Sequence, residues 1–344
     1  MKVLYAFQGT GKGHLTRAEE IVPALKQLAD TSVLVSGTEL NIDSSLSIDF
    51  HLKGLSFFFG NNGGINIWKS LKKAYPLTLL KDIFTFPVQN YDLVINDFEP
   101  VTAWACRLRN VKCIGLSHQK AVLDVNSPLP EKQSRFGKSV LSHYAKTKSG
   151  YGFHFESYNE NIFPPLIKES IRNCSPKNQG HFTVYLPSYS DKNLIDIFSK
   201  LPDVDWHVFS KRAKEEQQFK NVIIFPTSAD GFDKSMINAN GVLCGAGFET
   251  PSEAIHLGKK LLVIPMKGQY EQQCNAAALN RMGVSVINRL SEKNIEELRA
   301  WTIHSHPIQK VYNHTPERIL RMVLERELTS LSSSHSYSII PSSI

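Results

Sequence analysis

The segment KVLYAFQGTGKGHLT (Lys2–Thr16) contains a short apolar run directly before a loop with three glycines. The run KVLYAF has the length and composition of a strand that is buried on both faces of a parallel sheet. After the loop, apolar residues recur at helical spacing, at Ile21, Leu25 and Leu28. A strand, a glycine loop and a helix in this order predict the first unit of an α/β domain.

The glycine loop matches neither of the two common phosphate-binding patterns. The Walker pattern G-x-x-x-x-G-K-[ST] fails because Lys12 is followed by Gly13. The dinucleotide pattern G-x-G-x-x-G fails because the third position after Gly9 and Gly11 is His14. A helix N-terminus behind such a loop still favours an anionic ligand. A tight turn between strand and helix is the simpler explanation of the same glycines.

Segments typical of strands and helices alternate along the chain in two successive series. The first series continues with TSVLVSG, YDLVIND and VKCIGLSHQ, and the second follows NIFPPLI with HFTVYLP, DVDWHVFS, NVIIFPT, NGVLCG and KLLVIP. This alternation predicts two tandem, Rossmann-like, doubly wound α/β domains whose ligand lies in the crevice at the carboxyl ends of the strands. We expect residues 1–160 to form the first domain, 161–180 a linker, 181–328 the second domain and 329–344 a Ser-rich disordered tail.

Composition limits the classes of protein to which the chain can belong. Its 344 residues fit two ordinary domains, and the net charge of +7 fits an anionic partner, but no long basic run indicates nucleic acid. The five cysteines lack metal-ligand spacing, which predicts reduced thiols and a cytoplasmic protein. We expect no signal peptide, and no stretch has the roughly 18 apolar residues of a membrane span.

A second glycine-rich turn follows a strand in LCGAGFETPSEAIHLGKKLLVIPMKGQYEQQCNA (Leu243–Ala276). Gly245 and Gly247 would let the backbone approach a ligand closely. Acidic residues at the start of the next helix suit the helix dipole, but a carboxylate one turn into the helix could also hold the two hydroxyls of a ribose. The polar residues that follow the turn are Glu249, Thr250, Ser252, Glu253, Glu271 and Gln272.

The two glycine loops together resemble those of GT-B glycosyltransferases that use nucleotide-sugar donors. The resemblance is closest to the lineage of the peptidoglycan N-acetylglucosaminyltransferase, the diacylglycerol galactosyltransferases and the UDP-glycosyltransferases. GTGKGH (Gly9–His14) is similar to the family's G-G-T-G-G-H loop, with Lys12 in place of a glycine, and Leu243–Ala276 is similar to its donor signature, with Lys260 in place of a proline. Over about residues 1–283, the resemblance implies an inverting transferase that moves a sugar, most simply from a UDP-sugar, to an acceptor hydroxyl.

The resemblance implies a donor site in the second half of the chain. Glu253 matches the family's ribose-binding glutamate, and Glu271 and Gln272 match the pair that contacts sugar hydroxyls. The glycine turn would lie under the diphosphate and the FPT loop would pack on the base. The implied donor-binding residues are Gly11, Gly13, Phe225, Pro226, Thr227, Gly245, Ala246, Gly247, Glu249, Thr250, Glu253, Glu271 and Gln272.

The chain differs from the family at a position that often touches phosphate, because Gly245 stands where a histidine or arginine is common. Backbone N–H groups would then meet the phosphate charge, with help from Lys12 or Arg17 on the acceptor side. No D-x-D motif lies at a strand end near the glycine turn. We therefore expect neither a metal nor another cofactor, and stabilisation of the leaving diphosphate by helix dipoles and N–H groups.

The resemblance also implies a general base. His14 matches the family's histidine that removes the proton from the acceptor hydroxyl. Asp97 ends the strand YDLVIND, and DFEPVTAW is similar to the family segment whose aspartate pairs with that base; capping of the helix at Glu99 is the alternative role. His118, after the next strand, could bind the acceptor or replace His14 as the base.

The acceptor would bind mainly to the first half of the chain. Residues 65–86 combine lysines with aromatic residues, which predicts either contact with the anionic inner face of a membrane or an ordinary amphipathic surface helix. Membrane contact would suit a glycan or lipid-linked glycan of the cell envelope as acceptor. Two other functions remain open: a nucleotide-sugar epimerase or hydrolase, which needs no acceptor site, and a non-catalytic nucleotide-sugar-binding protein, which does not need His14.

Overall fold

The computed structural model of the protein describes residues 1–37, 46–54 and 76–336. Within these ranges the chain forms two α/β units, each built around one mainly parallel sheet. The predicted architecture of two Rossmann-like domains that face a crevice is confirmed.

The first sheet has seven parallel strands in the order β3-β2-β1-β4-β5-β6-β7. The strands are β1 (Lys2–Gln8), β2 (Asp30–Ser36), β3 (Phe50–Leu52), β4 (Leu93–Asp97), β5 (Cys113–Ser117), β6 (Ser149–Phe153) and β7 (Ile162–Phe163). The order reverses between β1 and β4, so the loops after these two strands diverge and leave a crevice at their carboxyl ends. Phe7 of β1 lies opposite Asp97 of β4 at this edge.

The helices of the first unit follow its strands. They are α1 (Lys12–Leu28), α2 (Pro76–Thr85), α3 (Pro100–Arg109), α4 (His118–Val122), α5 (Arg135–Tyr144) and α6 (Glu169–Arg172). The spacing of Ile21 and Leu25 predicted the buried face of α1, and both residues are buried. Ile162 and Phe163 pair with β6, so the last strand of the first sheet lies inside the segment predicted to be a linker from residue 161.

The second sheet repeats the arrangement, in the order β10-β11-β9-β8-β12-β13-β14, with β10 antiparallel to β11. The strands are β8 (Phe182–Tyr185), β9 (Trp206–Ser210), β10 (Gln217–Phe219), β11 (Val222–Pro226), β12 (Gly241–Gly245), β13 (Lys260–Ile264) and β14 (Ser285–Val286). The helices are α7 (Asp191–Phe198), α8 (Ala229–Asn238), α9 (Glu249–His256), α10 (Tyr270–Arg281) and α11 (Ile295–His304). Here the strand order reverses between β8 and β12, and the second glycine turn follows β12.

Each sheet is covered by apolar side chains on both faces, because successive residues of a strand point to opposite sides. Val3 and Tyr5 of β1 belong to one buried cluster, whereas Leu4 and Ala6 belong to another. The first of these clusters also contains Val242 of the second sheet, so the two units share a continuous core. The far face of the second sheet has a separate core.

The last helix, α12 (Pro316–Ser336), returns to the first unit. Its buried residues Ile319, Leu320 and Val323 lie in the same cluster as Ala18 and Val22 of α1. The helix therefore begins inside the stretch predicted to belong to the second domain, residues 181–328, but packs on the first. It also continues to Ser336, into the predicted tail, because a helix anchored by packing propagates at low cost; residues 337–344 lie outside the described residues.

The proposed membrane-contact segment is only partly described. Residues 65–75 lie outside the described ranges, and α2 begins at Pro76 with Leu77, Leu80 and Phe84 exposed. Across residues 1–37, 46–54 and 76–336, no helix has both the length and the apolar character needed to cross a bilayer.

Truncation of a buried side chain on the last helix should destabilise the protein. We expect Leu320→Ala to lower the free energy of unfolding by about 2–5 kcal/mol, because a fully buried leucine loses both its burial and its packing. Urea denaturation followed by circular dichroism measures the change. Leu328→Ala, on the exposed side of the same helix, is the control and should change the midpoint little. Equal effects of the two substitutions would contradict the packing of α12 on α1.

Candidate functional site

A cavity of about 1230 Å³ lies between the two units and is lined by residues from both. The loops after β1 and β12, at the two points where strand order reverses, both reach it. Of the residues predicted from the sequence, those that line the cavity are Gly11, Gly13, His14, Arg17, His118, Thr227, Gly247, Glu249, Thr250, Glu253, Glu271 and Gln272.

The glycine loop after β1 touches the opposite unit. Gly11 precedes α1 with φ at 86°, a backbone conformation that suits glycine. A Cβ atom added to Gly13 would lie 3.3 Å from the Cγ atom of Glu249 on α9. Gly13 therefore leaves the space that the Glu249 side chain occupies.

His14 and Asp97 form the pair that the sequence predicted. The His14 Nδ1 atom lies 3.0 Å from the Asp97 Oδ1 atom, and the Asp97 side chain has no exposed surface. The Phe98 ring is parallel to the His14 imidazole, with 6.3 Å between ring centroids. A neutral His14 that donates its Nδ1–H to Asp97 carries its lone pair on Nε2, the atom that can accept a proton.

Asp97 is available to His14 because another residue caps α3. The Glu99 side chain accepts hydrogen bonds from the backbone N–H groups of Val101 and Thr102. The alternative prediction, that Asp97 caps this helix, is therefore wrong. Between the two acidic residues, Phe98 has φ at 57°, a left-handed backbone conformation that is unusual for a non-glycine residue. Such strained backbone conformations are concentrated at functional sites.

Arg17 binds two carboxylates, one from each unit. Its Nε atom donates to Asp97 Oδ2 at 2.9 Å, its Nη2 atom to Asp97 Oδ1 at 3.2 Å, and its Nη1 atom to Glu249 Oε1 at 2.7 Å. The side chain is only 4% exposed. The expectation that Arg17 meets phosphate charge on the acceptor side does not fit these contacts, because both sides of the guanidinium are occupied.

The contacts with Arg17 lower the pKa values of both the Asp97 and the Glu249 carboxyl groups relative to the effect of burial alone. Burial alone would raise the pKa of Asp97, but Arg17 and His14 hold it below its usual value. Burial raises the pKa of Glu249, and Arg17 only partly offsets that effect. Glu249, expected among the donor-binding residues, thus lines the cavity while it is paired with Arg17.

Glu253 also lines the cavity, and its carboxylate is held by a lysine that was not predicted from the sequence. Lys168 Nζ lies 3.2 Å from Glu253 Oε1 and 2.7 Å from Asp233 Oδ1. Burial raises the pKa of Glu253 to about 8, although Lys168 opposes the shift. Lys168 follows the apolar PPLI run between the two units. A single lysine directly after that run was the only sequence feature that could have indicated its role.

One member of the predicted sugar-binding pair, Glu271, is in contact with the first unit. Gln119 of α4 donates from Nε2 to Glu271 Oε2 at 3.0 Å. The Gln272 Oε1 atom accepts from the backbone N–H of Met266 at 2.9 Å, which fixes the amide against the loop before α10. Gln119 was not predicted, because nothing in the segment GLSHQ distinguishes it from a helix-start residue.

His118 joins the two units and is not free to act as a base in this structure. Its Nδ1 atom lies 2.8 Å from the Phe153 carbonyl oxygen and its Nε2 atom 2.8 Å from Asn275 Oδ1. The ring stacks on Phe248, with 4.0 Å between centroids. Burial lowers the pKa of His118. These contacts favour His14 over His118 as the base.

Several predicted residues do not reach the cavity. Ala246 is fully buried, and its carbonyl oxygen accepts a hydrogen bond from Asn275 Nδ2. Phe225 packs against the rings of Phe209 and His207. Gly245 and Pro226 are likewise absent from the described lining. Lys12 begins α1, and its side chain lies outside what the structure describes.

Two further features bear on ligand chemistry. No described side chain caps the N-terminus of α1 or of α9, which leaves backbone N–H groups free to meet an anion. In the described part of the chain, no group of three or more His, Cys, Asp or Glu side chains could hold a metal ion.

Buried Glu253 should make stability depend on pH in a defined direction. Its pKa is about 8 in the folded protein against 4.5 for an ordinary glutamate, so the folded state keeps a proton that the unfolded state loses. The free energy of unfolding should therefore fall as pH rises from about 5 to about 9, and Glu253→Gln should reduce that fall. Urea denaturation across this range measures it, with exposed Glu297→Gln as the control. Parallel curves for wild type and Glu253→Gln would contradict the prediction.

Comparison with solved structures shows the same fold. The chain is similar to the spinosyn forosaminyltransferase SpnP, with a TM-score of 0.59 and 12% identity over 95% of this chain and 99% of that one. It is also similar to MurG of Acinetobacter baumannii, with a TM-score of 0.57 and 14% identity over 94% and 99%. The third is Arabidopsis thaliana UGT89C1 complexed with UDP, with a TM-score of 0.59 and 12% identity over 95% and 99%.

No curated protein sequence matches the chain significantly. The model of glycosyl transferase family 1 matches residues 1–302, which is most of the chain. The two sheets and the crevice between them agree with that match. The chain is therefore a glycosyltransferase that belongs to glycosyl transferase family 1 and has the GT-B fold.

Proposed function

We propose that the protein is an inverting glycosyltransferase that moves a sugar from a UDP-sugar to an acceptor hydroxyl, with His14 as the general base. The observation that carries this proposal is the 3.0 Å contact between His14 and fully buried Asp97 at the wall of the cavity. The same cavity is lined by Gly247, Thr250 and Glu253, which are among the residues predicted to bind the donor.

The reaction we propose is a single displacement. The acceptor hydroxyl gives its proton to His14 Nε2 as its oxygen forms a bond to the anomeric carbon. The bond from that carbon to the diphosphate oxygen breaks on the opposite face, and its electron pair leaves with the nucleoside diphosphate, so the anomeric configuration inverts. Asp97 keeps the Nδ1–H tautomer of His14 and stabilises the imidazolium that forms.

The leaving diphosphate would be stabilised by the protein without a metal cofactor. The N-terminus of α9, which carries no described side-chain cap, lies beside Gly247 at the cavity. Its free N–H groups and the helix dipole favour negative charge at that position. Glu253 would accept hydrogen bonds from the ribose hydroxyls, and Glu271 would contact the transferred sugar.

UDP as the nucleotide, and a glycan or lipid-linked glycan as the acceptor, complete the proposal. UDP is favoured by the similarity to the UDP-glycosyltransferase lineage, of which the Arabidopsis thaliana structure is a UDP complex. For a lipid-linked acceptor, exposed Leu77, Leu80 and Phe84 of α2 would provide peripheral contact with the inner face of the membrane. We accordingly propose a cytoplasmic protein.

Binding of the nucleotide can be tested by thermal shift. We expect UDP and UDP-sugars to raise the melting temperature more than GDP or ADP, because a ligand that binds only the folded state stabilises it. Glu253→Ala should reduce the UDP-induced shift by removing the ribose contact, and exposed Glu297→Ala should not. If no UDP species shifts the melting temperature of the wild-type protein, the donor assignment is wrong.

The role of His14 can be tested by turnover, measured as UDP release from UDP-glucose and UDP-N-acetylglucosamine with a panel of glycan acceptors. We expect His14→Ala to lower turnover by about 10²–10⁴-fold and to keep the UDP-induced thermal shift, since the base acts on the acceptor. Asp97→Asn should also lower turnover, because it removes the carboxylate that orients His14. Exposed His304→Ala is the control.

Full activity of His14→Ala would exclude His14 as the base. Consumption of the donor with no glycosylated product would instead indicate a hydrolase or epimerase. Binding of UDP with no turnover of any donor would indicate a non-catalytic binding protein. Proton NMR of the product, which distinguishes the two anomers, tests inversion.

A further inference from the structure

Lys168 reaches the cavity from the segment that connects the two units. It follows β7, the last strand of the first sheet, and directly precedes α6. Its Nζ atom lies 2.7 Å from Asp233 Oδ1 on α8 and 3.2 Å from Glu253 Oε1 on α9, and all three side chains line the cavity. A cation of the connecting segment is thus held beside the residue that we expect to bind the ribose.

The Lys168 ammonium keeps one donor for a ligand. Burial alone would lower the pKa of Lys168, but Glu253 and Asp233 raise it above its usual value, so the side chain stays charged. An ammonium has three N–H donors and no acceptor. Asp233 and Glu253 account for two of them, and the third has no partner in the part of the chain that the structure describes. The side chain is 23% exposed and lines the cavity, so a ligand there can reach it.

Glu253 offers the complementary group. Lys168 contacts its Oε1 atom, and its Oε2 atom makes no hydrogen bond within the described residues. A carboxyl group keeps an acceptor oxygen whether it is ionised or protonated. Glu253 can therefore accept the proton of one hydroxyl while Lys168 donates to the oxygen of a hydroxyl next to it.

The two neighbouring hydroxyls of a ribose match this pair, because each hydroxyl both donates and accepts a hydrogen bond. A deoxyribose would leave a polar group of the protein without its partner in a site from which water is displaced. That loss costs more than the absence of one attraction, so such a site rejects the analogue that lacks the hydroxyl.

Aromatic side chains beside this group suit the rest of a nucleoside. Phe232 directly precedes Asp233 on α8, and its ring packs on Tyr185, with 5.6 Å between ring centroids. Both residues line the cavity. Aromatic rings of this kind can stack on a nucleobase, since every base has a flat face.

We propose that Lys168 binds a ribose hydroxyl of the donor nucleotide and, together with Glu253, makes the protein select ribonucleotides over deoxyribonucleotides. Lys168 donates to the hydroxyl oxygen, and Asp233 holds the ammonium in place from α8. The donor is then a nucleoside diphosphate sugar whose ribose carries both hydroxyls. The inference rests on the proposed function, in which Glu253 binds the ribose.

Two other basic residues line the cavity without this arrangement. Arg17 is bound to Asp97 and Glu249. Lys211 follows β9, and no carboxylate of the described residues pairs with it. An exposed lysine without a fixed partner attracts phosphate through its charge but does not distinguish one sugar from another.

The test compares the affinities of UDP and 2′,3′-dideoxy-UDP for the full-length protein by isothermal titration calorimetry. The selectivity ratio is the Kd of the dideoxy compound divided by the Kd of UDP. We expect a ratio of at least about 10 for wild type, because the dideoxy compound leaves both Lys168 and Glu253 without a partner. Lys168→Met should lower the ratio by about 5-fold or more, mainly by weakening the binding of UDP.

Lys310→Met is the matched control, because it removes another ion-paired lysine, whose Nζ atom lies 2.9 Å from Glu156 Oε1. It should leave the selectivity ratio unchanged. Lys211→Met removes a cation that also lines the cavity, and it should change the binding of both nucleotides by the same factor. The ratio therefore separates contact with the ribose from attraction of the phosphates.

A double substitution separates direct contact from an effect through Glu253. Glu253→Ala alone should lower the selectivity ratio but leave part of it, because Asp233 still holds Lys168. Lys168→Met added to Glu253→Ala should remove the remainder. If the ratio in Glu253→Ala is the same with and without Lys168, the lysine only positions Glu253 and the inference is wrong.

Lys168→Met removes the partner of two carboxyl groups and can fail to fold, so Lys168→Gln is the second variant. Its amide keeps N–H donors but has no charge, and a neutral donor forms a weaker hydrogen bond. We expect its selectivity ratio to lie below that of wild type. A ratio equal to that of wild type in Lys168→Gln would overturn the inference, as would equal affinity of the wild-type protein for UDP and 2′,3′-dideoxy-UDP.

The inference and the proposed function fail separately, because the binding measurement needs neither an acceptor nor turnover. If GDP or ADP binds in place of UDP, the ratio is measured with its dideoxy analogue, and the ribose contact can stand while the UDP assignment is wrong. If the ratios change as expected but no donor is turned over, Lys168 stays a ribose ligand and the transferase proposal is wrong. If donors are turned over and the ratio ignores Lys168, only the inference is wrong.

Discussion

A fully buried charge on Asp97 is the constraint on which the site depends. A carboxylate without exposed surface is stable as an anion only when its neighbours compensate it. Arg17 does so with two hydrogen bonds and His14 with a third contact. The sheet order makes this possible, because it sets β4 beside β1, and Glu99 leaves Asp97 free by capping α3. One strand pairing and one helix cap thus orient the imidazole.

The site is not a property of either domain alone. Three polar contacts join the walls of the cavity across the boundary: Arg17 with Glu249, Gln119 with Glu271, and His118 with Asn275. Each connects a helix of the first unit to the helix that follows β12 or β13 in the second. Residues proposed to bind the donor are therefore in direct contact with residues of the first unit.

Local patterns predicted much of this molecule. Strands and glycine loops follow from short-range spacing, and the place of the crevice follows from the rule that ligands bind where strand order reverses. The His14–Asp97 pair was predicted from the resemblance of its two segments to those of the GT-B glycosyltransferases. The partners of Arg17 and Glu253 could not be predicted in this way, because Glu249 is 232 positions from Arg17 and Lys168 lies in a segment read as a linker. The packing of α12 on the first unit was missed for a related reason. The unit on which a terminal helix packs depends on where apolar surface remains uncovered, and the composition of the sequence does not show where that surface is.

The return of α12 to α1 means that the polypeptide crosses between the units twice, once after Phe163 and once before Pro316. A single covalent connection would let one unit both swing and twist against the other. Two connections side by side permit swinging about the line that joins them and resist twisting. Near the second crossing, the Tyr312 hydroxyl donates to the Phe155 carbonyl oxygen and Lys310 pairs with Glu156. These two contacts fix the second connection to the first unit. Such a swing would bring the same part of the second unit, the start of α9, against the same face of α1.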